Sequence, residues 1–172
     1  GSTDIGKLML QYAGQSNMKK VMTECGGKSP QIVFADGVDL DAAADAIAQS
    51  ILTNQGQVCI AGSRLLVQKA IETTLIEKLV SRFNDIVIGD PLDPKTTYGP
   101  IVTERQRDKI MHYINTGREA GAELVCGGNR ILQETGGYFV EPTILKNVSP
   151  TSEIAQQEIF GPVLSVMTFE NE

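Results

Sequence analysis

Apolar residues in this chain switch repeatedly between two periods, and that alternation is what most narrows its fold. Residues 31–35, bounded by Pro30 and by Asp36-Gly37, have strand length, and residues 64–68 read as a buried strand. Between them, Asp39 and Asp41 favour the start of a helix through Ala43, Ala44, Ile47, Ile51 and Leu52. Residues 70–83 place Ile71, Leu75, Leu79 and Phe83 on one helical face, and residues 103–120 are helical in pattern, closed by Gly121. Residues 123–126, 138–145 and 163–169 are further β-rich runs, and residues 19–24 are predicted to be extended. At the start, Ile5, Leu8, Met9 and Tyr12 have helical spacing, with Gly14 placed to end that helix. Strands alternating with helices predict an α/β fold, a mainly parallel sheet covered by helices.

Composition excludes several classes of partner. The 172 residues suffice for one core without disulfides, or for one domain plus a piece of another. The net charge of -6 comes from 21 acidic and 15 basic residues, interspersed with no basic stripe, which argues against a nucleic-acid partner. With no apolar run approaching the length of a membrane span and no charged-then-apolar leader, the expectation is a soluble, cytoplasmic protein without a membrane partner. The three cysteines are widely spaced and there is one histidine, a pattern that fits a reducing compartment and no metal site.

Chemistry concentrates in two glycine-flanked segments. Cys59 sits in Asn54-Gln55-Gly56-Gln57-Val58-Cys59-Ile60-Ala61-Gly62-Ser63-Arg64, and Glu24 in Thr23-Glu24-Cys25-Gly26-Gly27-Lys28-Ser29-Pro30. A free cysteine is only about 3% thiolate at pH 7, so a nucleophilic Cys59 needs help, and Glu24 is the candidate base. Gly56 and Gly62 allow tight turns whose main-chain amides can bind an oxyanion. The competing readings are a small buried hydrophobe for Cys59 and a solvated or capping carboxylate for Glu24. His112 offers a rival Cys-His dyad but falls within a predicted helix. Cys25 is the poorer nucleophile because the adjacent carboxylate disfavours its thiolate. Lys28 is assigned no role. In Gln156-Gln157-Glu158-Ile159-Phe160-Gly161-Pro162-Val163, Glu158 can accept from sugar hydroxyls while Phe160 packs on a ring. Gly1 and Ser2, ahead of a helix, can hold phosphate by main-chain amides.

Together these runs, with Gly136-Gly137-Tyr138-Phe139-Val140-Glu141-Pro142-Thr143, closely resemble the aldehyde dehydrogenase superfamily in order and spacing. The resemblance implies oxidation of an aldehyde to a carboxylic acid with NAD or NADP. Cys59 would attack the aldehyde, and Glu24 would activate the water that hydrolyses the resulting thioester. Glu158 and Phe160 match the family's contacts to the nicotinamide ribose, and Gly1 and Ser2 match the turn near the pyrophosphate. Residues 1–26 resemble the C-terminal tail of the dinucleotide-binding domain, and residues 27–172 most of the catalytic domain. Cys25 replaces the family's usual leucine, and Leu52-Thr53 replaces an aromatic pair, which should widen or repolarise the aldehyde channel.

Family members run to roughly 500 residues, about three domains' worth, so the chain resembles an internal fragment. It is expected to lack most of the dinucleotide site, the oxyanion asparagine and the oligomerisation arm, and to turn over little by itself. The parent enzyme is expected to be a homodimer or homotetramer. Two other functions stay open: a cofactor-free thiol ester hydrolase, and a non-catalytic fragment that needs its missing segments.

Overall fold

The last apolar run shows most directly how this sequence becomes a layered fold. In the computed structural model, which describes residues 1–171, residues 163–169 form a strand whose successive side chains join two different cores. Leu164 and Val166 pack with one apolar cluster, Val163 and Met167 with the other. Both faces of the strand are therefore covered, as expected for the centre of a parallel sheet. Ser165, the polar residue among them, is fully buried and donates from Oγ to the Ile154 carbonyl at 2.9 Å, so burial leaves its hydroxyl paired.

In chain order the elements are α1 (Thr3–Gln15), β1 (Pro30–Val33), α2 (Leu40–Leu52), β2 (Arg64–Gln68), α3 (Glu72–Asn84), α4 (Glu104–Glu119), β3 (Glu123–Cys126), β4 (Arg130–Ile131), β5 (Phe139–Val140), β6 (Thr143–Lys146), α5 (Glu153–Gln156) and β7 (Val163–Phe169). The main sheet has the order β1-β2-β7-β6-β3. Its first three pairings are parallel and only β3 joins antiparallel. Helices α2 and α3 supply Ile47, Ile51, Leu75 and Leu79 to one core, and α4 and α5 supply Ile110, Ile114 and Ile154 to the other. The expected mainly parallel sheet with helical cover is the observed architecture.

Helix α2 starts as its acids predict: Asp39 Oδ1 accepts from the Asp41 and Ala42 N–H groups at 2.9 and 3.2 Å, a cap worth about 1 kcal/mol. Asp41 then turns to α3, accepting from Lys78 Nζ at 2.8 Å and Arg82 Nη2 at 2.9 Å. These hydrogen bonds hold its carboxyl below the ordinary carboxylate range. A group depressed by folding stabilises the fold above its unfolded pKa, near 4, and loses that contribution as pH falls through the folded value. The urea midpoint should accordingly drop as pH is lowered through about 4, and Asp41→Asn should remove part of that drop.

Three expectations are corrected. Residues 19–24 form no strand, because among the described residues no neighbouring strand pairs with their backbone. The run 138–145 splits into β5 and β6 at Glu141-Pro142, with β5 pairing β4 in a separate two-stranded sheet and β6 pairing β7. Pro142 has no N–H with which to continue a ladder. Helix α1 continues past Gly14 to Gln15, where Ser16 Oγ donates to the Tyr12 carbonyl at 2.7 Å. Of its predicted apolar face, Ile5, Met9 and Tyr12 are each at least 40% exposed and Leu8 is half-buried, so most of that face lies uncovered by the described residues.

Candidate active site

The end of α2 delivers the chain into an unusual turn. Asn54, Gln55 and Gly56 have φ of 49°, 55° and 67°, three left-handed residues in succession, of which the two non-glycines cost roughly 1–3 kcal/mol each. Local hydrogen bonds hold the turn: Asn54 Nδ2 donates to the Gln57 carbonyl at 3.0 Å, and Gln57 Nε2 donates to the Asn54 carbonyl at 3.2 Å. The Ala61 N–H then donates to the Val58 carbonyl at 3.0 Å. Cys59 and Ile60 form the exposed tip between them, so the buried-hydrophobe reading of Cys59 does not hold.

Beyond the tip, Gly62 is gripped from both sides. Its N–H donates to Ser50 Oγ at 2.9 Å and its carbonyl accepts from Gln31 Nε2 at 2.7 Å. The Gly62 amide is therefore committed and cannot serve as the oxyanion donor anticipated there. The N–H groups of Cys59 and Ile60, both exposed residues, donate to no other group among the described residues, which leaves them free to bond a ligand.

Glu24 is exposed and lies in an irregular segment between α1 and β1. What positions this segment is its glycines. A Cβ on Gly26 would fall 2.0 Å from Glu158 Oε2, and one on Gly27 would fall 2.9 Å from the Cys59 carbonyl oxygen. The Gly27 N–H donates to Glu158 Oε1 at 3.2 Å. The Glu24 segment is thus fitted between Glu158 and the main chain of the cysteine turn, an approach that side chains at 26 and 27 would block. Gly1 adjoins it from the start of α1, where a Cβ would lie 3.3 Å from the Glu24 carbonyl.

Helix α4 fixes the third piece. Gln106 Nε2 donates to the carbonyls of Ile159 and Phe160, both at 2.8 Å, and Lys109 Nζ donates to that of Glu158 at 2.9 Å. These bonds hold Phe160, half-buried, at a left-handed φ of 60°. Gly161 passes so close to α4 that a Cβ would meet Ile110 Cδ1 at 2.4 Å. Gln106, Lys109 and Tyr113 recur at helical spacing, but in sequence nothing separates that polar stripe from an ordinary solvated face.

The start of α1, residues 26–28, α4 and the Glu158 loop enclose a cleft of ≈ 480 Å³ lined by Ser2, Gly26, Gly27, Lys28, Lys109 and Glu158, among others, and neither Cys59 nor Glu24 is among its lining residues. Ser2 caps α1, its Oγ accepting from the Ile5 N–H at 3.4 Å. Phe160 is not among the lining residues. His112 lies on the exposed side of α4 with its ring 5.8 Å from that of Tyr113, and it is absent from the cleft that takes in Lys109 and Tyr113. Cys25 is half-buried against α1, its Sγ 3.0 Å from the position of a Cβ on Gly6. Burial pushes the Cys126 thiol up.

Lys28 is the residue that sequence reading left without a role. Its Nζ and Arg64 Nε are buried with no hydrogen-bond partner among the described residues. Burial, with Arg64 second, lowers the Lys28 amine to about 7, although Glu158 acts in the opposite direction. Between about pH 7 and the ordinary lysine value near 10.4, the unfolded chain holds a proton that the folded chain has released, so stability rises with pH across that window. Lys28→Met should raise the urea midpoint at pH 7 and flatten its climb toward pH 10, measured by denaturation at several pH values.

The layered sheet defines an α/β domain that carries an exposed thiol, Cys59, on the turn after α2 and a separate cleft beside α4. The sequence profile described as "Aldehyde dehydrogenase family" matches residues 1–172, and the chain belongs to that family. It is 44% identical over 170 residues to retinal dehydrogenase 2 of Homo sapiens, covering 99% of this chain and 32% of the relative. An aldehyde dehydrogenase of Enchytraeus buchholzi is also 44% identical, over 171 residues, with 99% and 34% covered. Among solved structures, the aldehyde dehydrogenase KauB from Pseudomonas aeruginosa superposes with a TM-score of 0.96 at 51% identity, covering 99% of this chain and 34% of that one. An indole-3-acetaldehyde dehydrogenase complexed with NAD+ gives 0.97 at 53% identity, again with 99% and 34% covered. The chain therefore spans about a third of the length of the relatives it matches.

Proposed function

We propose that the chain carries the nucleophile, the base and part of the cofactor clamp of an enzyme that oxidises an aldehyde to a carboxylic acid with NAD or NADP. The observation that carries this reading is Gly27, whose N–H bonds Glu158 while a Cβ at the same residue would fall 2.9 Å from the Cys59 carbonyl oxygen. One residue thereby joins the base segment, the ribose-type acceptor and the nucleophile turn.

The thiolate of Cys59 adds to the aldehyde carbon, and the Cys59 and Ile60 amides face the charge that develops on oxygen. Bound NAD or NADP would accept the hydride, leaving an acyl group on sulfur. Glu24 takes a proton from water as that water attacks the thioester, releasing the acid and restoring the Cys59 thiolate. The residues present fit a dinucleotide: Glu158 uses Oε1 on Gly27, and no protein hydrogen bond is made to its Oε2 among the described residues, leaving that oxygen to accept from sugar hydroxyls. Ser2 and Gly1 would meet phosphate at the start of α1.

Residues 1–26 belong, on this reading, to the tail of the dinucleotide-binding domain and residues 27–172 to the catalytic domain of a cytoplasmic homodimer or homotetramer. The 172-residue chain alone should give little NAD(P)H, since orienting hydride transfer needs a fully held nicotinamide. The test is incubation with an activated acetate ester without cofactor, followed by peptide mass spectrometry. Selective acylation of Cys59 supports the assignment, and equal slow labelling of Cys25, Cys59 and Cys126 refutes it.

A further inference from the structure

We infer that Gln57 is a positioning residue: its buried amide holds the cysteine turn in the shape that leaves the Cys59 and Ile60 N–H groups open to an oxyanion. The inference rests on the assignment of Cys59 as nucleophile and adds a residue that does not itself meet substrate. Gln57 is only 9% exposed although it lies two residues from the exposed thiol. Its side chain joins two separate pieces of backbone. Oε1 accepts from the Val102 N–H at 3.0 Å, in the loop leading to α4, and Nε2 donates to the Asn54 carbonyl at 3.2 Å.

The second bond closes a reciprocal pair, since Asn54 Nδ2 donates to the Gln57 carbonyl and the Gln57 N–H to the Asn54 carbonyl, both at 3.0 Å. Two non-glycine residues inside this loop are left-handed, a conformation that relaxes unless the surroundings hold it. Gln57 is the side chain that ties the loop to a segment outside it. Downstream, Ser50 and Gln31 hold Gly62, so the tip at Cys59 and Ile60 is suspended between two fixed points. A primary amide suits the upstream point because it donates and accepts at once, whereas a carboxylate only accepts and a thioether does neither with strength.

Two reactions of Cys59 separate positioning of the amides from simple exposure of the sulfur. Acylation by p-nitrophenyl acetate builds negative charge on a carbonyl oxygen, whereas alkylation by iodoacetamide displaces iodide and needs no oxyanion donor. In the 172-residue chain, Gln57→Met should slow acylation of Cys59 by about 10- to 100-fold while alkylation of the same sulfur changes by less than about threefold. Gln57→Glu, which keeps the acceptor for Val102 but loses the donor to Asn54, should fall between the two. Labelling of Cys126 reports folding in each sample, and if Gln57→Met exposes that cysteine the ratio is read on Gln57→Glu. Equal slowing of both reactions, or no change in either, overturns the inference while leaving the nucleophile in place. Failure of the unaltered chain to acylate Cys59 overturns both together.

Discussion

Glu24→Gln should convert the chain from one that hydrolyses an activated ester slowly into one that stores the acyl group on Cys59. Amide for carboxylate keeps the shape of an exposed side chain but removes the proton acceptor, so thioester formation proceeds and its hydrolysis falls by about 100- to 10,000-fold. Intact-mass spectrometry over time would show one acetyl group accumulating, and peptide mapping would place it on Cys59. Cys59→Ala should abolish the burst and lower esterase turnover by at least on the order of 1,000-fold. Unchanged deacylation in Glu24→Gln would remove Glu24 from the mechanism, even with Cys59 confirmed as the acceptor.

The largest effect on stability should come from Gly56→Ala. The position has φ +67°, and an added Cβ would stand 2.3 Å from the Gly161 carbonyl oxygen and 2.6 Å from its carbon. The obstacle is backbone and cannot rotate away, and the backbone behind it is itself held, with Ile110 packed against Gly161 and Gln106 bonded to the carbonyl of Phe160. Left-handed strain of about 1–2 kcal/mol and overpacking of about 1–3 kcal/mol together predict a loss of roughly 2–5 kcal/mol, read as a fall in the urea midpoint. Because Gly56 is where the cysteine turn touches the Glu158 loop, the variant should also lose selective acylation of Cys59. A midpoint within experimental scatter of the unaltered chain would mean that the two loops can separate at little cost.

Much of this was legible along the chain because it depends on local order. The period of three to four in residues 70–83 marks α3, whose Leu75, Leu79 and Phe83 are all buried. Strands β1, β2 and β7 begin within a residue of where apolar runs follow Pro30, Ser63 and Pro162. The segments holding Glu24, Cys59, Glu158 and Phe160 are readable as short motifs because glycine and proline punctuate them. Residues 19–24 show the limit: an extended pattern states what a segment can do, and only a partner strand makes it part of a sheet.

The sequence by itself determined the α/β class and the family and offered Cys59 and Glu24 as candidate nucleophile and base, since these follow from periodicity and from motifs a few residues long. Only the tertiary structure decided that Gly26 and Gly27 are spacers between Glu158 and Cys59, residues far apart in the chain. It likewise decided that Gly62's amide is spent on Ser50, that the Lys28 amine is buried near Arg64, and that Gln57 reaches Val102. Burial and hydrogen-bond partners depend on which distant segments meet, and a polar side chain carries no local mark of whether it will face water or another strand of backbone.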